Sequence, residues 1–141
     1  SSIQLKELEK IADWISNNYS SAEKIVEVGV GKTTRVLEVL QQKMPGTKLL
    51  ATDIRKVTVP KGVEFMQDDI RKPKTEYYRG ASLVYSMRPP AEFYPLLSKL
   101  ADEIDSDLMV NPVSSEESPL WGKPINYSGV FFYVKKRNIE K

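Results

Sequence analysis

The sequence predicts an α/β protein with a mostly parallel sheet and helices on both of its faces. Three observations predict it. Short apolar runs alternate with segments of helical period as far as residue 110. The first run, Lys24–Val28, leads straight into Gly29-Val30-Gly31 and then into an amphipathic segment. The second run ends on an acidic residue, Asp53. Strand, tight turn, helix, strand, carboxylate is the order in which a nucleotide-like ligand is commonly held.

At 141 residues the chain is expected to form one domain, with a hydrophobic content of 40% and a charged content of 28%. A net charge of +2 does not by itself imply a nucleic-acid partner. There is no cysteine, so disulfides and thiolate metal sites are excluded. There is no histidine, which removes the usual general base and the commonest metal ligand. Catalysis would rest on carboxylates, Lys, Tyr, Ser, positioning, or a cofactor's own reactivity. No apolar run is long enough to cross a membrane, and the N-terminus lacks a signal-peptide pattern. A cytoplasmic location is the default expectation.

The opening segment 3–18 has Leu8, Ile11, Ala12 and Ile15 at helical spacing, with Trp14 read as a packing residue. Asn17–Ser21 breaks it. Lys24–Val28 is the first strand. Thr33–Met44 is a helix with Val36, Leu37, Val39 and Leu40 on one face. Thr33 or Thr34 is placed to cap it, and Pro45-Gly46 ends it. Lys48–Thr52 and Val63–Met66 are the next strands. Arg71–Arg79 is polar, basic and weakly patterned. Ala81–Tyr85 is the fourth strand and Ala91–Ile104 a strongly patterned helix. Asp107–Val110 is the fifth strand. Residues 111–126 hold three prolines and read as a loop, and Tyr127–Val134 reads as one last strand, antiparallel near an edge. The tail 135–141 is charged and expected to fray.

The glycine turn carries the chemistry. Its backbone must visit positive φ and approach a ligand closely, which Gly29 and Gly31 allow. The following helix start offers amides, and Asp53, 22 residues beyond Gly31, can accept from ribose hydroxyls. A dinucleotide fingerprint needs a third glycine where Thr34 stands. A phosphate-binding loop, suggested by Gly-Lys-Thr at 31–33, needs glycine where Val26 stands inside the strand. Lys32 is then a solvated or ligand-edge charge.

Glu27-Val28-Gly29-Val30-Gly31 resembles motif I of the Rossmann-like, S-adenosylmethionine-dependent methyltransferases, and the likeness runs over about residues 20–110. The resemblance implies a three-layer αβα sandwich with strand order 3-2-1-4-5. It implies S-adenosylmethionine as cofactor. Glu27 would help hold its methionine end and Gly29 and Gly31 would line it. Asp53, followed by Ile54, would bind the ribose. Asp69 with Ile70 would meet the adenine amine, with Asp68 as the neighbour. Thr33 stands in place of the family's third glycine. S-adenosylmethionine has no phosphates, so a short two-glycine turn suffices for it.

The fourth strand delivers Ser86, Arg88 and Pro89 toward the substrate side. Amino-group methyltransferases often carry Asn or Asp, then Pro-Pro and an aromatic, at this place. Here Arg88 precedes the prolines and Ala91 replaces the aromatic. A guanidinium cannot accept from an amine. Arg88 would favour an anionic ligand or pair with a carboxylate such as Glu92. After Val110 the methyltransferase pattern thins, and the whole resembles a small archaeal family of truncated methyltransferase-like proteins. That family implies a fold and no established reaction. Trp121 would pack, stack or close a lid. The Arg71–Arg79 loop, with Tyr77 and Tyr78, and the Lys135-Lys136-Arg137 run are candidate RNA contacts. The expected function is an S-adenosylmethionine-binding protein, a methyltransferase of unknown substrate. Its alternative is a non-catalytic binding or assembly module, RNA-associated in one form.

Overall fold

Five strands run parallel, lying side by side in the order Glu64–Gln67 (β3), Lys48–Asp53 (β2), Lys24–Val28 (β1), Leu83–Met87 (β4) and Asp107–Asn111 (β5), and the antiparallel pair Val130–Lys135 (β7) and Lys123–Tyr127 (β6) completes the sheet as β5-β7-β6. The computed structural model describes residues 2–31, 33–114 and 117–138. Lys32 and the end of the tail lie outside the described residues.

The helix α1 spans Ser2–Asn18, and β1 spans Lys24–Val28. After the glycine turn come α2, Arg35–Lys43, and β2, Lys48–Asp53. Then follow β3, Glu64–Gln67, a short α3, Thr75–Tyr78, and β4, Leu83–Met87. A 3-10 turn at Ala91–Phe93 runs into α4, Tyr94–Ile104. The chain finishes with β5, Asp107–Asn111, β6, Lys123–Tyr127, and β7, Val130–Lys135.

The alternation of side chains along β1 explains the layers. Ile25 points into a core made with α1 and α2, which contains Ile11, Ile15, Leu37 and Leu40. Val26 and Val28 point the other way, into a core made with α4 that contains Leu97, Leu100 and Ile104. Each such side chain, fully buried, stabilises the fold by about 1.5–3 kcal/mol. The expected parallel order and the placement of helices on both faces are both present. Trp14 packs as expected, edge-on to Phe132 with ring centroids 4.8 Å apart.

The C-terminal region departs from the sequence reading. Lys123–Tyr127 is a strand, not loop, and pairs with Val130–Lys135 across a Ser128-Gly129 turn. Lys123, Pro124 and Asn126 are exposed on this edge strand. Proline is tolerated there because an edge leaves one row of amides without ladder partners. An exposed edge needs little apolar pattern, so the period-2 signal was missing. The chain therefore has both a sixth and a seventh strand, and it is less truncated than the sequence suggests.

Candidate functional site

The site is built where the sheet order reverses, at the carboxyl ends of β1, β2 and β4. Gly29 and Gly31 have φ of 72° and 59°. A Cβ on either would stay 3.9 Å from the nearest protein atom. Backbone conformation, rather than crowding within the protein, therefore demands glycine at both. The turn is tied to the end of β2. The Gly29 and Val30 amides donate to the Thr52 carbonyl at 2.8 and 3.1 Å. The Gly31 amide donates to Asp53 Oδ2 at 2.8 Å, and the Arg55 amide donates to Asp53 Oδ1 at 2.9 Å. Each carboxylate oxygen of Asp53 keeps a lone pair for a further donor.

Gly29, Gly31, Asp53, Ile54, Asp69 and Ile70 line one cleft of about 290 Å³, facing Ser86, Arg88 and Pro89. Nine of the residues singled out in the sequence are therefore brought together at a single opening. Ile54, 53% exposed, gives the mouth an apolar surface. Asp69 accepts from the Arg71 amide and twice from its guanidinium, all at 3.0 Å. These hydrogen bonds hold the Asp69 carboxyl below the usual carboxylate range. Asp68 also lines the cleft, but it accepts from the Tyr78 hydroxyl at 2.6 Å and from the Lys74 amide.

Two of the residues stand apart from the cleft. Thr33 is exposed and outside its wall. Thr34 precedes α2, but neither it nor Thr33 caps the helix amides; the Thr34 hydroxyl donates to Glu38 at 2.7 Å instead. Glu27 lies on β1 with 1% exposure, directed into the core shared with α1 and α2. It accepts from the Tyr85 hydroxyl at 2.7 Å, and strand register pairs these two residues. Burial pushes the Glu27 carboxyl up to about 8, partly opposed by the Tyr85 hydrogen bond and reinforced by nearby Asp53. Tyr85 is the important site neighbour that the sequence reading missed. Only the register of β1 against β4, which no local pattern encodes, brings it there.

Across the cleft, Ser86 is buried and its hydroxyl donates to the Val28 carbonyl at 2.8 Å. That bond fixes the β4 rim against the glycine turn. Arg88 has a φ of 51°, in the left-handed region, and its amide donates to the Asn111 carbonyl at 2.7 Å. The expected pairing of Arg88 with Glu92 is not found. The carboxylate facing its guanidinium is Glu7 of α1, at 4.0 Å. The left-handed turn at Arg88 redirects the chain before the prolines, and α1 lies within reach.

A larger groove of about 790 Å³ lies beside α4, between Tyr94 and Trp121. Its wall holds no strand-end residue and no glycine-turn residue, so the smaller cleft is the better candidate site. Trp121 packs there as expected, donating to the Tyr94 carbonyl at 3.0 Å.

The candidate RNA loop is built differently from its sequence reading. Tyr78 is buried and bonded to Thr52 and Asp68, and Arg71 is held by Asp69. In the tail, Lys135 pairs with Asp102 and Lys136 with Asp107. A base-stacking platform at Tyr78 is ruled out by its burial.

Comparison with known proteins gives the family. A model of the uncharacterised protein family UPF0146 matches residues 8–137. The chain belongs to that family. It is 36% identical over 128 residues to the UPF0146 protein of Archaeoglobus fulgidus, covering 91% of this chain and 94% of that one. The UPF0146 protein of Methanothermobacter thermautotrophicus is 36% identical over 112 residues, covering 78% and 80% respectively. Among solved structures, an S-adenosyl-L-methionine methyl transferase from Silicibacter pomeroyi matches with a TM-score of 0.66 at 16% identity, over 96% of this chain and 93% of that one. An RNA methyltransferase from Salinibacter ruber, in complex with S-adenosyl-L-homocysteine, matches with a TM-score of 0.62 at 14% identity, over 93% and 92%. The plantazolicin methyltransferase BpumL, also in complex with SAH, matches at 0.54 and 13%, and the chain spans 44% of its length. At these identities the structures establish the fold alone, a Rossmann-like α/β sandwich.

Proposed function

We propose that the cleft binds S-adenosylmethionine and that the protein is a methyltransferase. The observation that carries this reading is the join between β1 and β2. Asp53 holds the Gly31 amide at 2.8 Å and still faces the cleft with lone pairs for a ribose diol. The residues present fit the cofactor. Gly29 and Gly31 leave the turn without side chains, Ile54 and Ile70 offer apolar faces to a base, and Asp69 offers an acceptor to its amine. Glu27 sits beneath the turn as a buried carboxyl and would act on the methionine end from there rather than as wall.

Bound S-adenosylmethionine supplies an electrophilic methyl group. The chain's own part is to orient and to exclude water. Ser86 locks the β4 rim to β1, and Pro89 and Pro90 stiffen the wall that an acceptor would meet. The chain has no histidine to serve as general base, which suits transfer by positioning.

Titration with S-adenosylhomocysteine, followed by backbone amide shifts, tests this. Saturable shifts at Gly29, Gly31 and Asp53 are expected. An unperturbed glycine turn at millimolar ligand would sink the proposal. A second reading is a binding module without turnover. It is favoured by the Ser86 hydroxyl being committed to Val28 and by the absence of histidine. Conversion of S-adenosylmethionine to its demethylated product in the presence of acceptor fractions would eliminate that reading.

A further inference from the structure

We propose that the β4 rim of the cleft is an oxyanion subsite built on Arg88, so that the substrate of this site carries a phosphate or carboxylate. Calling the anion a substrate rests on the cofactor reading above; the subsite itself does not.

The cleft is electrically divided. Asp53, Asp68 and Asp69 all lie on the β2 and β3 side. Arg88 lies on the β4 side, beyond β1. Strands two places apart are separated by about 10 Å, so the halves are distinct neighbourhoods. On the acidic side Arg55 also lines the cleft, together with the three carboxylates. On the β4 side Arg88 is the charged group of the wall.

The backbone presents Arg88 deliberately. A residue with a Cβ is unfavourable at a φ of 51°, and such outliers persist where the surroundings over-determine them. Here the Arg88 amide is held by the Asn111 carbonyl at 2.7 Å, and buried Pro89 follows. The side chain is nonetheless 48% exposed, and its guanidinium makes no hydrogen bond among the described residues. Its facing carboxylate, Glu7, stands at 4.0 Å, beyond hydrogen-bond reach. Glu7 thus behaves as an internal, loosely held anion that an incoming oxyanion replaces. A guanidinium fork suits both phosphate and carboxylate, bidentately.

The test is a titration of the protein with ribose 5-phosphate, and separately with succinate, against sodium chloride at matched ionic strength. Amide and guanidinium shifts of Arg88 are followed, with Gly29 and Gly31 amides as the fold control. Saturable shifts at Arg88 are expected with at least one probe. Arg88→Gln should raise the half-saturation concentration at least fivefold, and Glu7→Gln should lower it at least twofold. A response to one probe alone assigns the class. Shifts that match those in chloride, or that survive unchanged in Arg88→Gln, overturn the subsite. S-adenosylhomocysteine is titrated in parallel. Oxyanion binding without a response at Gly29 and Gly31 removes the cofactor reading and leaves the subsite standing. The converse removes the subsite alone.

Discussion

The two rims of the cleft are held by different means. On the β1–β2–β3 side, acceptor side chains are fixed by backbone amides: Asp53 by Gly31 and Arg55, Asp69 by Arg71. On the β4 side, Ser86 is fixed by the Val28 carbonyl, and beyond it Arg88 is displayed by a left-handed backbone and two prolines. The first rim suits a ligand with constant hydrogen-bond donors. The second suits a charged partner and depends on ring stiffness and local strain. The proposed cofactor and substrate roles divide along that line.

The largest expected effect lies beneath the first rim. The Glu27 carboxyl is raised in the folded state to about 8, from an ordinary value of 4.5. Between those values the folded protein keeps a proton that the unfolded chain has released. Stability is therefore greatest below the lower value and falls as pH rises through the upper one, by at most about 1.4 kcal/mol per pH unit. Denaturant melts at pH 6, 7 and 8 should show the decline, and Glu27→Gln should flatten it. An equally steep slope in the variant would place the titrating group elsewhere.

Next comes Asp53→Ala, which removes the acceptor from the Gly31 amide. A loss of about 1–3 kcal/mol in unfolding free energy is expected, together with weaker S-adenosylhomocysteine binding by calorimetry. Retained affinity would break the ribose assignment. On the second rim, Arg88→Gly should act in the opposite direction. Relief of the left-handed backbone should stabilise the fold by about 1 kcal/mol, less the entropy that glycine adds to the unfolded chain. Destabilisation on thermal melting would mean that the Glu7 pair contributes more than its 4.0 Å separation suggests. The smallest effect is expected at Asp69→Asn. Its pair with Arg71 is solvent-screened, so the melting midpoint should barely move while binding weakens. An equal change in both would make Asp69 a structural residue only.

Much of the first rim was legible in the chain. Gly29, Gly31 and Asp53 are read from local order, because a strand, a positive-φ turn and a helix impose residue types at short spacing. Ile54, Asp69 and Ile70 are named by the resemblance to the methyltransferases rather than by local order. The second rim was less legible. Arg88 was identifiable as an odd residue before two prolines, but Glu7, rather than Glu92, faces it across 81 residues of sequence.

By itself, the sequence determined the layer structure, since apolar period distinguishes β1 through β5 from the helices between them. It also determined the glycine turn, since only glycine takes those φ values without strain. Tertiary structure decided the rest. Register brought Tyr85 to Glu27 and left that carboxyl buried, its pKa pushed up by burial. Pairing with β7 made an exposed, proline-bearing segment into β6, although its own pattern carries no strand signal. The physical reason is common to both. Burial and hydrogen-bond partners are set by residues distant in the chain, and local periodicity carries no information about them.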